Sequence, residues 1–204
     1  MARHPDRPPF GSSRIDIMTT MFAGGIAAVA ILVTLILRLV EVATNTEVPV
    51  RSWLNSPRGT VPIGAGGAPV PVTMDGGTVL VSGMPGITLA SVALAALAPA
   101  ATALLIVGCV LLLLRSLLTG RIFSRRNTSL VTTISVVIVA GWALTSLFST
   151  MASNGAVANL SDRSVDTATV PTDWAPVLAA LAVGAIAIAF HRGERLQRDT
   201  EGLV

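Results

Sequence analysis

The chain has 204 residues and a formal net charge of +3; 52% of its residues are hydrophobic and only 12% are charged. Soluble domains carry about 25% charged residues, so this composition excludes an ordinary soluble domain and predicts an integral membrane protein. All fourteen basic residues are arginines, which raises the isoelectric point to about 10.9 without the aromatic and basic surface that nucleic-acid binding requires. The single cysteine, Cys109, excludes a disulfide framework.

Four apolar segments predict an all-α membrane domain of four transmembrane helices, since a bilayer core requires about 20 helical residues. The predicted order is a cytoplasmic N-terminal segment 1–16, a membrane domain 17–190 and a cytoplasmic C-terminal helix 191–204. The membrane domain is divided into the spans 17–42, 87–114, 130–152 and 174–190 and the outer loops 43–86 and 153–173. The first span is too long for a cleaved signal peptide.

The arginines predict how the protein is oriented. With both termini inside, ten arginines flank the inner ends of the spans and only three, Arg51, Arg58 and Arg163, lie in the outer loops. Positive residues concentrate on the cytoplasmic side, so we expect both termini in the cytoplasm. The lysine-free, alanine-rich composition suggests a GC-rich bacterial genome, and hence a multi-pass protein of a bacterial plasma membrane.

The first outer loop is long enough to fold by itself. It contains "GAPVPVTMDGGTVLVSG", in which Asp75-Gly76-Gly77 separates two valine-rich runs and predicts a β-hairpin turn. Pro69 and Pro71 would restrict the first run to an edge strand. We therefore expect a small extracytoplasmic β element between spans 1 and 2, with a further strand near "GAVANL" in the second outer loop.

The stretch "RSLLTGRIFSRRNTSL" between spans 2 and 3 predicts a tight helix–helix turn. Gly120 is placed to end one helix in the left-handed conformation. Ser124 is placed to cap the next helix, with Phe123 as the apolar residue before the cap.

Four arginines of this stretch, Arg115, Arg121, Arg125 and Arg126, are not balanced by any acid. Arg125 and Arg126 fall in a first helical turn, where the helix dipole disfavours cations. Anionic lipid headgroups would offset this cost, so the main interpretation is a topology anchor that contacts lipid. A docking surface for a cytoplasmic protein is the alternative.

Near the outer end of the first span, Arg38 and Glu41 share a helix face and predict an ion pair at the membrane interface. Alternatively, Arg38 reaches an outer-loop acid such as Asp75 or Asp173 and fixes the β element on the helices. The small residues Gly24-xxx-Ala28 and Ala180-xxx-Gly184 predict that spans 1 and 4 are neighbours.

The chain ends in "FHRGERLQRDTEGLV", which predicts a charged helix with Glu194–Arg198 and Arg195–Asp199 pairs. This tail and "TGRIFSRRNTSL" together resemble the DUF2975 family of bacterial four-span membrane proteins. The matching residues are Gly120, Phe123, Ser124, Asn127, Phe190, Gly193, Leu196, Asp199, Glu201 and Val204. The resemblance implies a fold and a membrane location, but no catalytic activity.

No catalytic motif, cofactor site or metal site is predicted. The cores of spans 2 to 4 carry no charged residue and no histidine, which argues against an ion-coupled carrier. We therefore expect a non-enzymatic accessory or regulatory protein that contacts membrane lipids and docks a membrane or cytoplasmic protein. The alternative is a passive channel formed by a homo-oligomer, lined by the polar stripe Thr132, Thr133, Ser135, Thr145 and Ser146.

Overall fold

The computed structural model describes residues 14–53, 58–73, 76–119, 124–161 and 173–201. The helices are α1 (Arg14–Thr44), α2 (Gly86–Leu118), α3 (Arg125–Leu160) and α4 (Ala175–Glu201). The strands are β1 (Val48–Trp53), β2 (Arg58–Val61), β3 (Val70–Thr73) and β4 (Gly76–Val81). All four helices are long and apolar enough to cross a membrane. We call the end of the helices that carries β1 and β4 the sheet end, and the opposite end the arginine end.

The helices form an open row. Among the described residues, extensive helix packing joins α1 to α2, α2 to α3, and α3 to α4. The predicted neighbourhood of spans 1 and 4 is therefore wrong. Gly24 instead faces Leu111 of α2, and Gly184 faces Ser135 of α3. Consecutive helices joined as antiparallel neighbours pack together most readily. The small residues of α1 and α4 therefore contact the helix that is adjacent in sequence instead of each other.

The central contact of the row is between α2 and α3. A Cβ atom added at Gly141 would lie 2.1 Å from the Thr102 hydroxyl oxygen, and one added at Gly155 would lie 2.7 Å from Thr88. Both pairs join α3 to α2 at successive points along antiparallel helices. Glycine is required at these positions because the threonine side chains occupy the space that a larger residue would need.

The strands form two antiparallel ladders, in which β1 pairs with β4 and β2 pairs with β3. The predicted hairpin of the two valine-rich runs is thus wrong: β3 and β4 are both strands, but each has another partner. Gly76 and Gly77 belong to β4 instead of a turn, and Asp75 lies outside the described residues. At Gly76 a Cβ would come within 2.9 Å of the Trp53 ring, so this glycine allows close approach between paired strands.

The segment "GAVANL" is helical, which corrects the strand expected there. Helix α3 continues to Leu160, beyond the predicted span 130–152. Ala156 and Val157 of this extension are buried, and the Ser153 hydroxyl accepts a hydrogen bond of 3.1 Å from the Trp53 backbone N–H. The extension stays helical because it supports β1.

The cluster of buried apolar side chains lies at the sheet end. Its members come from α1, β1, β4, α2 and α3: Val42, Val48, Val50, Val81, Met84, Val92, Ala152 and Ala156. Asn45, in the left-handed conformation directly after α1, closes this region. Its side-chain amide donates to the Met84 carbonyl at 3.1 Å and accepts from the Met84 N–H at 2.9 Å. The end of α1 is therefore tied to the start of α2.

Candidate functional sites at the two ends of the helices

Arg38 connects α1 to the sheet. One guanidinium nitrogen donates to the Glu41 carboxylate, which is the predicted ion pair, and the other donates to the Pro49 carbonyl in β1. Arg38 therefore does fix the β element on the helices, but through a backbone carbonyl instead of a loop acid. Asp173 has another role, since its carboxylate accepts the Ala175 N–H at 2.9 Å at the start of α4.

A cavity of about 720 Å³ lies beside Arg38, between the sheet and the helices. Its wall is formed by residues of α1, α2, α3 and β1 and by Asp173, which lies two residues before α4. The lining residues are Arg38, Val50, Arg51, Trp53, Val92, Ala95, Ala96, Ser149, Ala152 and Asp173. The Arg51 guanidinium carbon lies 4.9 Å from the centre of the Trp53 ring, within the range of a cation–π contact.

An apolar groove of about 550 Å³ adjoins this cavity and separates α1 from α2. It is lined by Ala30, Ile31, Thr34, Leu35, Arg38, Ala96, Pro99, Ala100 and Ala103. Arg38 and Ala96 line both spaces, so the groove leads directly to the cavity. Pro99 lies within α2 and cannot donate a backbone N–H to the Ala95 carbonyl, which belongs to a residue of the cavity wall.

At the arginine end, the cap predicted for Ser124 is present. Ser124 has extended backbone angles, and its hydroxyl accepts the Asn127 N–H at 3.3 Å. Helix α3 consequently begins at Arg125, and both Arg125 and Arg126 lie in its first turn, as predicted. Helix α2 ends at Leu118 and is followed by Thr119. Gly120, Arg121 and Phe123 lie outside the described residues.

The three arginines of this stretch that the structure describes line two different cavities. Arg115 and Arg126 line a cavity of about 370 Å³ together with Ser124. Arg125 lines a separate cavity of about 640 Å³, between α3 and α4, that also includes His191 and Glu194. The sequence suggested one basic surface, but successive residues of a helix point about 100° apart, so Arg125 and Arg126 diverge.

The charged tail continues α4 without a break to Glu201. Glu194 is only 7% exposed, and the Thr128 hydroxyl lies 3.5 Å from its carboxylate. Glu194 therefore faces α3 instead of lying on an exposed helix face as expected, whereas its predicted pairing with Arg198 stays a prediction. Phe190 and Gly193 are half-buried, whereas the side chains of Leu196, Arg198 and Asp199 lie outside the described part of the chain.

Sequence reasoning missed β1. It also missed the two hydrogen bonds between the Asn45 side chain and the Met84 backbone, which we call the Asn45 clamp. The alternation in "VPVRSW" is a strand signal in the sequence. In the structure Val48, Val50 and Ser52 are accordingly buried, whereas Arg51 is exposed. Asparagine directly after a helix is also a known signal for a left-handed end. The contact of Arg51 with Trp53 follows once β1 is recognised, because residues two apart in a strand lie on the same face.

Among the described residues, no group of three His, Cys, Asp or Glu side chains is arranged to hold a metal ion. No family model matches the chain, and no match was found among curated proteins or solved structures. The resemblance to DUF2975 therefore stays a prediction. What the geometry offers is a cavity with charged groups in a largely apolar wall, joined to an apolar groove, at one end, and two cavities bearing arginines at the other.

Proposed function

We propose that this chain is a multi-pass protein of a bacterial plasma membrane, with both termini in the cytoplasm, that acts as a non-enzymatic accessory protein and docks a partner. Membership of the DUF2975 family is part of this proposal. The observation that carries it is the open row of helices. In the described part of the chain, α2 is the helix on which α1 packs extensively, and only 6% of the most apolar 18-residue window of α1 is buried.

Such an edge helix leaves most of its apolar surface to lipid and to neighbouring membrane proteins. Phe22, Val29 and Leu37 are each more than 60% exposed on α1. Exposed apolar surface on this scale is stable in hydrocarbon and unstable in water, which supports the membrane assignment. It also supports lateral docking, since helix association in a membrane requires an accessible helix face.

A passive channel formed by several copies is the second candidate. The cavity between α3 and α4 favours it, because Thr128, Ser129, Thr132 and Thr133 give this cavity a polar wall. Two observations weigh against it. The Thr132 and Thr133 hydroxyls donate to carbonyls of their own helix, and the Ser135 hydroxyl donates to the Ala180 carbonyl of α4 at 2.8 Å. Ser135 thus serves helix packing.

Site-specific photo-crosslinking in native membranes tests the proposal. A photoreactive residue at Val29 reports on the exposed face of α1, and one at Ile134, a large side chain of α3 that is only 8% exposed, is the matched internal control. We expect a stoichiometric adduct with a different protein from Val29 only. Adducts solely between copies of this chain, combined with solute flux through reconstituted vesicles, would favour the channel instead.

The arginine end is tested in the same membranes. Replacing Arg125 and Arg126 with glutamine should leave topology and partner capture intact if these residues are lipid-contacting anchors supported by the other inner arginines. Loss of partner capture with unchanged topology would identify them as the docking surface. The matched control is the glutamine replacement of Arg192 and Arg195 on α4.

A further inference from the structure

The sheet-end cavity and the α1–α2 groove have complementary chemistry. Apart from Arg38 at its end and Thr34, the groove wall consists of aliphatic and small side chains, and the Thr34 hydroxyl donates to the Ala30 carbonyl of its own helix at 2.9 Å. The cavity wall contains two guanidinium groups, an indole ring and one carboxylate. Because the two spaces share Arg38, a single molecule that occupies both must be apolar at one end and polar at the other.

The dimensions of the groove fit an extended hydrocarbon chain. From Ala30 to Arg38 the helix advances by roughly 12 Å, at about 1.5 Å per residue. The groove remains an open space because the side chains of its alanines are too small to fill it. These alanines are Ala30, Ala96, Ala100 and Ala103. Closer to the arginine end the same two helices touch, where Gly24 lies against Leu111. The groove therefore has a closed end and an end that opens at Arg38.

The charges of the cavity favour a phosphate. Arg38 uses part of its guanidinium for Glu41 and Pro49, but the group carries five N–H donors, so donors remain. Arg51 is exposed, and its contact with the Trp53 ring holds its guanidinium in place while leaving its N–H edges available. Guanidinium groups bind phosphate oxygens in pairs of parallel hydrogen bonds. The cavity wall contains two guanidinium groups and one carboxylate, Asp173, and a second carboxylate, Glu41, pairs with Arg38 but not with Arg51.

We propose that the cavity and the groove together bind one phospholipid, with its phosphate between Arg51 and Arg38 and one acyl chain between α1 and α2. This inference rests on the proposed membrane placement. The bound lipid would fill the space that separates α1 from α2 and would link the sheet, through Arg51, to the membrane. The proposed accessory protein would then carry a lipid at the base of its β element.

Native mass spectrometry of the full chain in detergent tests the site, with phosphatidylglycerol as the probe and diacylglycerol as the probe without phosphate. We expect one tightly retained phosphatidylglycerol per chain and no comparable diacylglycerol. Arg51→Gln should weaken retention by roughly tenfold or more, the loss expected for a hydrogen bond to a charged group. Arg51→Lys should restore part of it. Arg125→Gln, the same change at the arginine end, is the matched control.

The groove is tested by Ala100→Phe, which fills it, against Ala182→Phe on an exposed face of α4. Only the first should abolish retention. If Arg51→Gln and Ala100→Phe retained phosphatidylglycerol as well as their controls Arg125→Gln and Ala182→Phe, the proposed lipid site would be wrong. The proposed membrane placement would not be affected by that result. Equal retention of diacylglycerol would overturn the role of the phosphate. A chain recovered as a monomer without detergent would overturn the membrane placement and the lipid site with it.

Discussion

The sheet end and the long helical segments are packed in different ways. At the sheet end, Val48 and Val81 are fully buried in a cluster drawn from five elements. Along α1 and α2, only 6% of the most apolar window of each helix is buried. The sheet end is organised like a small soluble core, in which removal of apolar surface from water drives packing. In the proposed membrane the helices would gain little from that effect, and they would depend on close contacts at small residues.

The largest effect should follow from placing a charge in the sheet-end core. Val81→Asp buries an unpaired carboxylate, a change whose cost typically exceeds about 4 kcal/mol. We expect β1 and β4 to lose protection from hydrogen exchange while the helices keep theirs. Leu80→Asp is the matched control, because Leu80 is the adjacent residue of β4 and is 60% exposed. Equal loss of protection in both variants would contradict the assigned strand faces.

A smaller effect is expected in the helical row. Gly141→Ala places a methyl group 2.1 Å from the Thr102 hydroxyl oxygen, and overpacking of this kind costs about 1–3 kcal/mol. The unfolding temperature in detergent should fall. Gly108→Ala is the control, since no neighbouring atom lies within 4 Å of the added group. Thr102→Ala removes two of the three clashing atoms and should recover part of the lost stability in combination with Gly141→Ala.

The Asn45 clamp joins the two regions, and Asn45→Ala should cost about 2 kcal/mol because it removes two hydrogen bonds to Met84. Hydrogen exchange at Met84 measures the loss. Asn45→Gly keeps the left-handed backbone and removes only the hydrogen bonds, whereas Asn45→Asp keeps one acceptor. If Asn45→Gly were as stable as the unchanged chain and protected Met84 equally well from hydrogen exchange, the left-handed backbone conformation alone would account for the role of Asn45.

The smallest effect concerns the cap of α3. Ser124→Ala removes the acceptor for the Asn127 N–H and should cost about 1 kcal/mol, with faster exchange of that amide. Ser124→Asp should restore the cap and also offset the charges of Arg125 and Arg126. The exposed Ser129, in the same helical turn, provides the Ser129→Ala control. An unchanged Asn127 exchange rate in Ser124→Ala would contradict the capping role.

Much of the helical fold could be predicted from the sequence, because hydropathy and capping are local signals. The four apolar segments and the cap at Ser124 are both of this kind. The order of the helices could not be predicted from small-residue spacing: Gly24 and Gly184 carry the same local signal but face different partners. Spacing identifies a face that permits close approach, but not the helix that approaches it.

The candidate sites were predictable only in part, for a similar reason. The pairing of Arg38 with Glu41 follows from their spacing within one helix, whereas the contact of Arg38 with Pro49 depends on where β1 lies. Likewise, "MDGG" has the composition of a turn, yet strand pairing over a longer distance assigns Gly76 to a ladder with Trp53. Long-range pairing outweighed the local preference.

The open row also has a consequence for biosynthesis. Among the described helices, α2, α3 and α4 each pack against the helix that precedes them in the chain, so each of these interfaces can close as soon as its second member has been synthesised. A nascent chain released after α3 should accordingly already contain the Gly141–Thr102 interface and the paired strands, with α4 added last.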